Sequence, residues 1–345
     1  MVRVGVIGYG YWGPNLVRNI AEAKDLEIAG VSDLRPERLE LLKSRYPAVK
    51  VTTNFRDLVD SPLIDAIAIA TPVSTHFDLA MSALRARKHV LVEKPLATTS
   101  EDALRLIDEA DRRNVVLMVD HTFVYTGAVR KIYQLISSGE LGDLYYYDSV
   151  RINLGLFQFD VDVIQDLAVH DFAIMDYLLP GKQPVAVAAT GVSHVPSGKE
   201  NIAYITAFFA NSMIAHVHVN WLAPVKVRQT LIGGSRRMIL YDDVEPSEKI
   251  KIYDKGISVS QNHNREEAYQ MLVSYRAGDM WAPKLDMSEA LAVELAHFAE
   301  CINGAAKPKT DGQAGYRVVC VLEAAAQSMR NRGALVDLET GRVGA

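Results

Sequence analysis

The sequence predicts an α/β protein: a doubly wound parallel sheet at the N-terminus, then an α+β domain built on an open, mostly antiparallel sheet. Three observations predict it. Over the first ~120 residues, short apolar runs rich in β-branched residues alternate with segments of 3.6 period. A glycine fingerprint links the first run to the first helix. Beyond that point strand patterns follow one another with short connections.

In order, strand-length runs occupy 2–7, 26–32, 65–70, 89–92 and 115–119, with a weaker one at 50–52. Helical periods fall between them at 13–23, 36–45, 75–86 and 100–112, and Thr99 with Asp102 makes a capping pair for the last. Each parallel strand pair needs a crossover, so this alternation gives a parallel sheet covered on both faces. Next, 144–153 alternates and 184–195 is β-rich. Runs 202–209 and 213–221 flank Asn211-Ser212, and 227–232, 238–241 and 249–253 follow. Helices at 127–138, 166–179, 288–303 and 315–332 are expected on one side of this sheet. No linker-like stretch separates the halves, so domains 1–121 and 122–345 should share an interface and a cleft.

The 345 residues are long enough for two cores, and 49% hydrophobic against 23% charged residues excludes a disordered chain. The formal charge is −5, from 42 acidic and 37 basic side chains, and no basic cluster exceeds Arg112-Arg113 or Arg236-Arg237. That balance argues against nucleic-acid and membrane partners. Cys301 and Cys320 read as free thiols of a cytoplasmic protein, and neither a charged leader nor an apolar run of membrane-spanning length is seen.

Gly8-Tyr9-Gly10-Tyr11-Trp12-Gly13 lies where a dinucleotide fingerprint belongs. Gly8 permits the tight turn, Gly10 lets backbone approach a pyrophosphate, and Gly13 lets helix pack on strand. The helix N-terminus offers its N–H groups to phosphate, with Tyr11 and Trp12 as a cover. Asp33 ends the second strand 20 residues past Gly13 and suits the adenosine ribose hydroxyls. It would repel a 2′-phosphate, which favours NAD. Arg35 could pair with such a phosphate, so NADP stays the second choice. Leu34 and Arg35 are grouped with Asp33 at the cofactor.

Thr71-Pro72 and Glu93-Lys94-Pro95 close the fourth and fifth strands at the edge where open parallel sheets bind ligands. His76, just beyond, is expected near the nicotinamide. Asp166 and His170 stand four apart on one helix face. Oxidation of a hydroxyl removes a proton as hydride leaves carbon, so an imidazole beside an ammonium donor is what that chemistry needs. A metal is the competing reading for Asp166, His170 and Asp171, but no further Cys/His cluster completes a coordination shell, and none is assigned. Arg151 and Asn153 are candidates for substrate hydroxyls, and Lys226 and Arg228 for a phosphate. His216 and His218 alternate along one strand as sheet-surface residues or a subunit contact.

The order of these motifs resembles the Gfo/Idh/MocA family of sugar dehydrogenases, from the glycine fingerprint and Asp33 through Ala70-Thr71-Pro72, Glu93-Lys94-Pro95 and Asp166 to His170, to Asp311-Gly312 and Leu322-Glu323-Ala324-Ala325. The resemblance implies a Rossmann domain, an open antiparallel sheet and homodimers or homotetramers formed through that sheet. Asn153-Leu154-Gly155-Leu156-Phe157, Asp166 to Asp171 and Asn220-Trp221-Leu222-Ala223-Pro224-Val225-Lys226-Val227-Arg228 look most like members acting on UDP-N-acetylglucosamine or its uronate at C3. Two positions depart from it: Thr126-Gly127 replaces a common Asn-Pro, and Gln165 replaces a common Trp. Lys94, Asp166 and His170 are the expected catalytic set. The alternatives are a free polyol such as myo-inositol as substrate, NAD-assisted glycoside cleavage, and a dinucleotide-binding regulator without turnover.

Overall fold

The computed structural model describes residues 1–155, 161–195, 198–254, 256–259, 273–276 and 278–338. Leu156 and Phe157 of the motif named above lie outside them. The N-terminal half runs β1 (Val2–Ile7), α1 (Gly13–Glu22), β2 (Leu26–Ser32), α2 (Pro36–Arg45), β3 (Val51–Thr52), α3 (Arg56–Val59), β4 (Ala66–Ile69), α4 (His76–Arg85), β5 (His89–Glu93), α5 (Ser100–Arg113) and β6 (Leu117–Asp120). Its six strands are all parallel, in the order β3-β2-β1-β4-β5-β6. The strand order reverses between β1 and β4, which opens a crevice at their carboxyl ends. Residues 66–69 of β4 are all buried, because helices cover both faces of the sheet. Helix α5 forms as its sequence directs: the Thr99 side chain accepts from Asp102 N at 3.1 Å, and Asn114 ends it with φ 55°. The four-residue α3 is too short to leave a period in the sequence.

The second half contains α6 (Gly127–Ser137), β7 (Leu144–Leu154), α7 (Val169–Leu178), β8 (Pro184–Val192), β9 (Ile202–Phe209), β10 (Ile214–Asn220), β11 (Leu222–Gly234), β12 (Met238–Asp242), β13 (Ile250–Tyr253), β14 (Gly256–Val259), β15 (Val273–Arg276), β16 (Met280–Trp281), α8 (Ala290–Ile302), α9 (Gly312–Arg330) and β17 (Val336–Asp337). Nine of these strands form one sheet, in the order β16-β13-β12-β11-β7-β10-β9-β8-β17, and β14 pairs with β15. The large sheet is antiparallel except where β10 lies parallel to β7. Helix α7 and the β8-β9 pair intervene in sequence, a crossover long enough to return the chain in the same direction.

Three elements differ from expectation. The helix expected over 166–179 opens with a π turn, Ile164–Ala168, before α7. Asp162 caps that turn, its Oδ1 accepting from the N–H groups of Ile164 and Gln165 at 2.9 Å. The strand expected at 227–232 starts at Leu222, with a register shift before Val227. The last helix starts at Gly312, with Asp311 as its cap, accepting from Ala314 N at 2.8 Å.

Helix α9 returns to the first half and fixes how the two halves meet. A Cβ on Gly315 would lie 2.7 Å from a Val119 methyl, and one on Gly312 would lie 2.8 Å from Ile107, so small residues are required there. Thr310 Oγ1 donates to Val119 O at 2.7 Å, and Val119 N donates to Thr310 O at 2.8 Å. On the other flank Arg18 of α1 pairs with Glu289, just before α8. The cleft between the halves is therefore held at both ends.

Candidate active site

The cleft has a volume of about 690 Å³ and is lined from both halves, including Trp12, Thr71, Pro72, Glu93, Lys94, Asp166 and His170. Its cofactor side begins at the β1–α1 turn. Gly8 has φ 97°, and a Cβ there would sit 2.4 Å from Ala70 O; on Gly13 a Cβ would fall 2.2 Å from Gly8 O. Over Gly10 only an Arg35 guanidinium nitrogen comes near, at 3.6 Å, so its backbone stays open to a ligand. No side chain caps the N-terminus of α1, leaving its first N–H groups for an anion. Asp33 is buried at the end of β2 and accepts from Tyr9 N at 2.8 Å and from Arg35 N and Nε. Burial opposes charge on this carboxyl, but the bonds from Arg35 and Tyr9 outweigh it and hold Asp33 below the usual carboxylate range. These residues fit a dinucleotide: Gly8, Gly10 and Gly13 at its pyrophosphate and Asp33 at its ribose.

The expected neighbours divide. Trp12 lines the cleft and donates its indole N–H to Asp120 at 2.7 Å, Tyr11 is largely exposed on the same rim, and Leu34 is exposed but is not among the lining residues. The Tyr9 ring points into the core, so only its backbone serves the site. His76 corrects the expectation. It is buried, with Nδ1 2.8 Å from Pro95 O and Nε2 2.9 Å from Thr71 O. It ties together the two strand-end loops beneath the cleft and does not face it.

Lys94 comes from the loop after β5, and its peptide bond to Pro95 is cis. Its Nζ crosses the cleft to Asp166, 2.9 Å from the backbone O and 3.2 Å from Oδ1. The second oxygen of Asp166 accepts from the buried Trp221 indole at 3.0 Å. Gly155 makes room for that ring, since a Cβ there would lie 2.4 Å from it. His170 follows one turn later and meets Phe123 edge-on at 4.8 Å. Burial, then the positive charges of Lys94 and Arg151, push the His170 imidazole well below its ordinary value, so it is neutral and able to accept a proton.

Arg151 also departs from expectation. Its side chain is buried on the helix-covered face of β7 and binds Asp171, Nε to Oδ2 at 2.8 Å and Nη2 to Oδ1 at 3.2 Å. It therefore fastens α7 to the sheet and does not line the cleft. Asn153, Thr126 and Gln165 do line it, as does Arg228, whose guanidinium lies 5.6 Å from the Phe123 ring centre. Lys226 is exposed. His216 and His218 stand on the uncovered sheet face, where Tyr204 stacks on His218 at 4.4 Å. Sequence reasoning missed Asp120, which also closes a parallel strand at the ligand edge, and Glu294, a buried carboxylate of the largely apolar helix α8.

A sheet whose first turn leaves space for a pyrophosphate, facing a second domain that brings an imidazole to the strand-end lysine, is the construction of a two-domain dinucleotide-dependent oxidoreductase. Residues 2–121 match the oxidoreductase family with NAD-binding Rossmann fold, and 129–240 match the GFO/IDH/MocA C-terminal domain. The chain belongs to this GFO/IDH/MocA family, with NAD as its cofactor. It is 30% identical to the UDP-N-acetylglucosamine 3-dehydrogenase of Acidithiobacillus ferrooxidans, over 92% of this chain and 94% of that one. The crystal structure of that enzyme superposes with a TM-score of 0.79 at 27% identity, covering 95% and 98% of the two chains. Myo-inositol 2-dehydrogenase of Thermotoga maritima is 22% identical over 96% and 97%. The WlbA dehydrogenase of Bordetella pertussis, solved with NADH and UDP-GlcNAcA, shares the fold with a TM-score of 0.82 at 18% identity, covering 98% and 97%.

Proposed function

We propose that the protein transfers hydride between C3 of a UDP-sugar, of the UDP-N-acetylglucosamine or uronate type, and NAD. Residues 1–121 hold the cofactor, and 122–345 serve the sugar and sister subunits. The observation that carries this reading is the Lys94–Asp166 bridge across the cleft with neutral His170 beside it. The nicotinamide supplies the hydride acceptor. His170 takes the proton of the ring hydroxyl, and Lys94 donates to the same oxygen and stabilises the negative charge growing on it. Asp166, fixed by Trp221, keeps the ammonium aimed. Arg228, which lines the cleft and is braced by Asp243 Oδ2 at 3.3 Å, is the cation placed to support a diphosphate.

The test is reduction of NAD with a panel of nucleotide sugars and free polyols, followed by absorbance of the reduced cofactor. Turnover of a UDP-sugar with NAD preferred over NADP is expected. Turnover of myo-inositol alone would instead support the polyol reading that the Thermotoga relative favours. The uncovered sheet face exposes Tyr204, Phe208 and Ile214 beside His216, which suits a homodimer or homotetramer. Ile214→Glu should then halve the particle mass in solution, and an unchanged mass would remove this face from the assembly. No described helix is long and apolar enough to cross a membrane. Free Cys301 and Cys320 fit a cytoplasmic setting.

A further inference from the structure

Behind Lys94 lies a group of carboxyls that the reaction above does not use. Glu93 and Asp120 end neighbouring strands in register, and both line the cleft. Glu294 reaches them from α8. It is wholly buried, and neither of its oxygens has a hydrogen-bond donor among the described residues. It faces the Asp120 carboxyl and the Thr122 hydroxyl, whose proton is already given to Asp120 Oδ1. Asp120 Oδ2 receives the Trp12 indole, and among the described residues Glu93 Oε2 receives only the Lys94 backbone N–H, at 2.9 Å.

The charged groups around the trio leave it short of positive charge. The Lys94 ammonium bonds to Asp166 and not to Glu93. His121, next to Asp120, is buried with neither ring nitrogen partnered among the described residues, and burial first and Lys94 second push it down to about 3. His170 is neutral for the reasons given, and burial above all keeps the Tyr125 phenol protonated. Three carboxyls so placed cannot all ionise, because like charges in a buried site favour a shared proton. Burial, with Asp120 adding to it, pushes both Glu93 and Glu294 well above the ordinary carboxyl range. Among the described residues no such group has metal-holding geometry.

We propose that Glu93, Asp120 and Glu294 form a proton-exchanging counter-charge for the oxidised cofactor. The trio holds a proton while the cleft is empty or holds NADH, whose ring is uncharged, and releases it when the positively charged ring of NAD⁺ enters. This rests on the NAD reading above. In the oxidative direction a C–H bond breaks as hydride and its two electrons pass to the ring. The O–H bond breaks as a proton and a C=O bond forms. The ring's positive charge disappears in that step, so the trio regains affinity for a proton, and it takes one up as His170 gives up the proton it received from the hydroxyl. The net charge of the site is then unchanged across hydride transfer, which avoids the cost of an uncompensated charge in a partly dry cleft.

The test is calorimetric titration of the full chain, freed of copurified nucleotide, with NAD⁺ and with NADH in two buffers of different ionisation enthalpy near neutral pH. NAD⁺ should release more protons than NADH, with a difference approaching one per site. Glu294→Gln, which keeps the shape and touches no ligand, should shrink that difference, and Asp120→Asn should do so independently. Equal proton counts for the two redox forms in the native protein, or an undiminished difference in both variants, would overturn the proposal while leaving NAD binding intact. Failure of both forms to bind would defeat the NAD reading, and this inference with it.

Discussion

The two walls of the cleft are built on different plans. On the cofactor side the polar groups sit at the ends of parallel strands, so the sheet itself sets their backbone position. Asp33, Thr71, Lys94 and Asp120 all follow directly from a strand end or close one. On the substrate side Asp166 and His170 come from a single widened turn and the start of α7. Their position depends on long-range bonds: Asp171 to Arg151 and Ser149 on β7, and Trp221 to Asp166. A change at a strand end should therefore alter chemistry with little loss of stability. A change in the supports of α7 should cost both.

The largest effect that would break this contrast is at Asp171. Asp171→Ala leaves the Arg151 guanidinium buried and unpaired, and it should cost about 3–5 kcal/mol in denaturant unfolding, with turnover falling as well. A loss of under about 1 kcal/mol, the scale of exposed pairs, would show that α7 is held by its apolar face alone. A smaller effect is expected from Asp33→Asn. Its partner Arg35 is half exposed, so stability should change little, while NAD binding weakens roughly ten- to a hundredfold, the scale of hydrogen bonds to a charged group. Discrimination against NADP should fall with it. Unchanged cofactor preference would take Asp33 out of the ribose site.

The smallest expected effect is a displacement of the pH profile. His170 must be neutral to accept a proton, and its folded value is depressed. Oxidative kcat/KM should therefore hold as pH falls through 6.5, the ordinary imidazole value, and decline only at lower pH. Half-loss at 6.5 would mean that a freely solvated imidazole, and not the half-buried His170 beside Lys94, is the base.

The same contrast explains what could be read in advance. Gly8, Gly10 and Gly13 are legible because each is required by its own turn, and Lys94 because strand ends face ligands. Asp120 obeys the same rule but stands in no familiar tripeptide, and Glu294 reads as one more solvated charge on a helix. Arg151 was expected in the cleft because β7 alternates, yet alternation does not say which face a helix will cover. His76 stands at the edge of the ligand region by number, and only the fold shows its ring buried with both nitrogens beside backbone carbonyls. Residues whose role depends on partners 20 or more positions away, such as Arg151 with Asp171, leave no local sign of which way they point.

The central claim is that Lys94 and His170 carry the proton chemistry, while Gly8, Gly10, Gly13 and Asp33 hold the cofactor without them. Single-turnover formation of reduced cofactor, measured beside NAD affinity in Lys94→Ala and His170→Ala, tests it most directly. The account predicts a loss of roughly 10²–10⁴-fold in the hydride-transfer rate for each variant, with NAD affinity close to that of the native protein. Native-like rates in either variant, or a loss explained by failure to bind NAD, would contradict it.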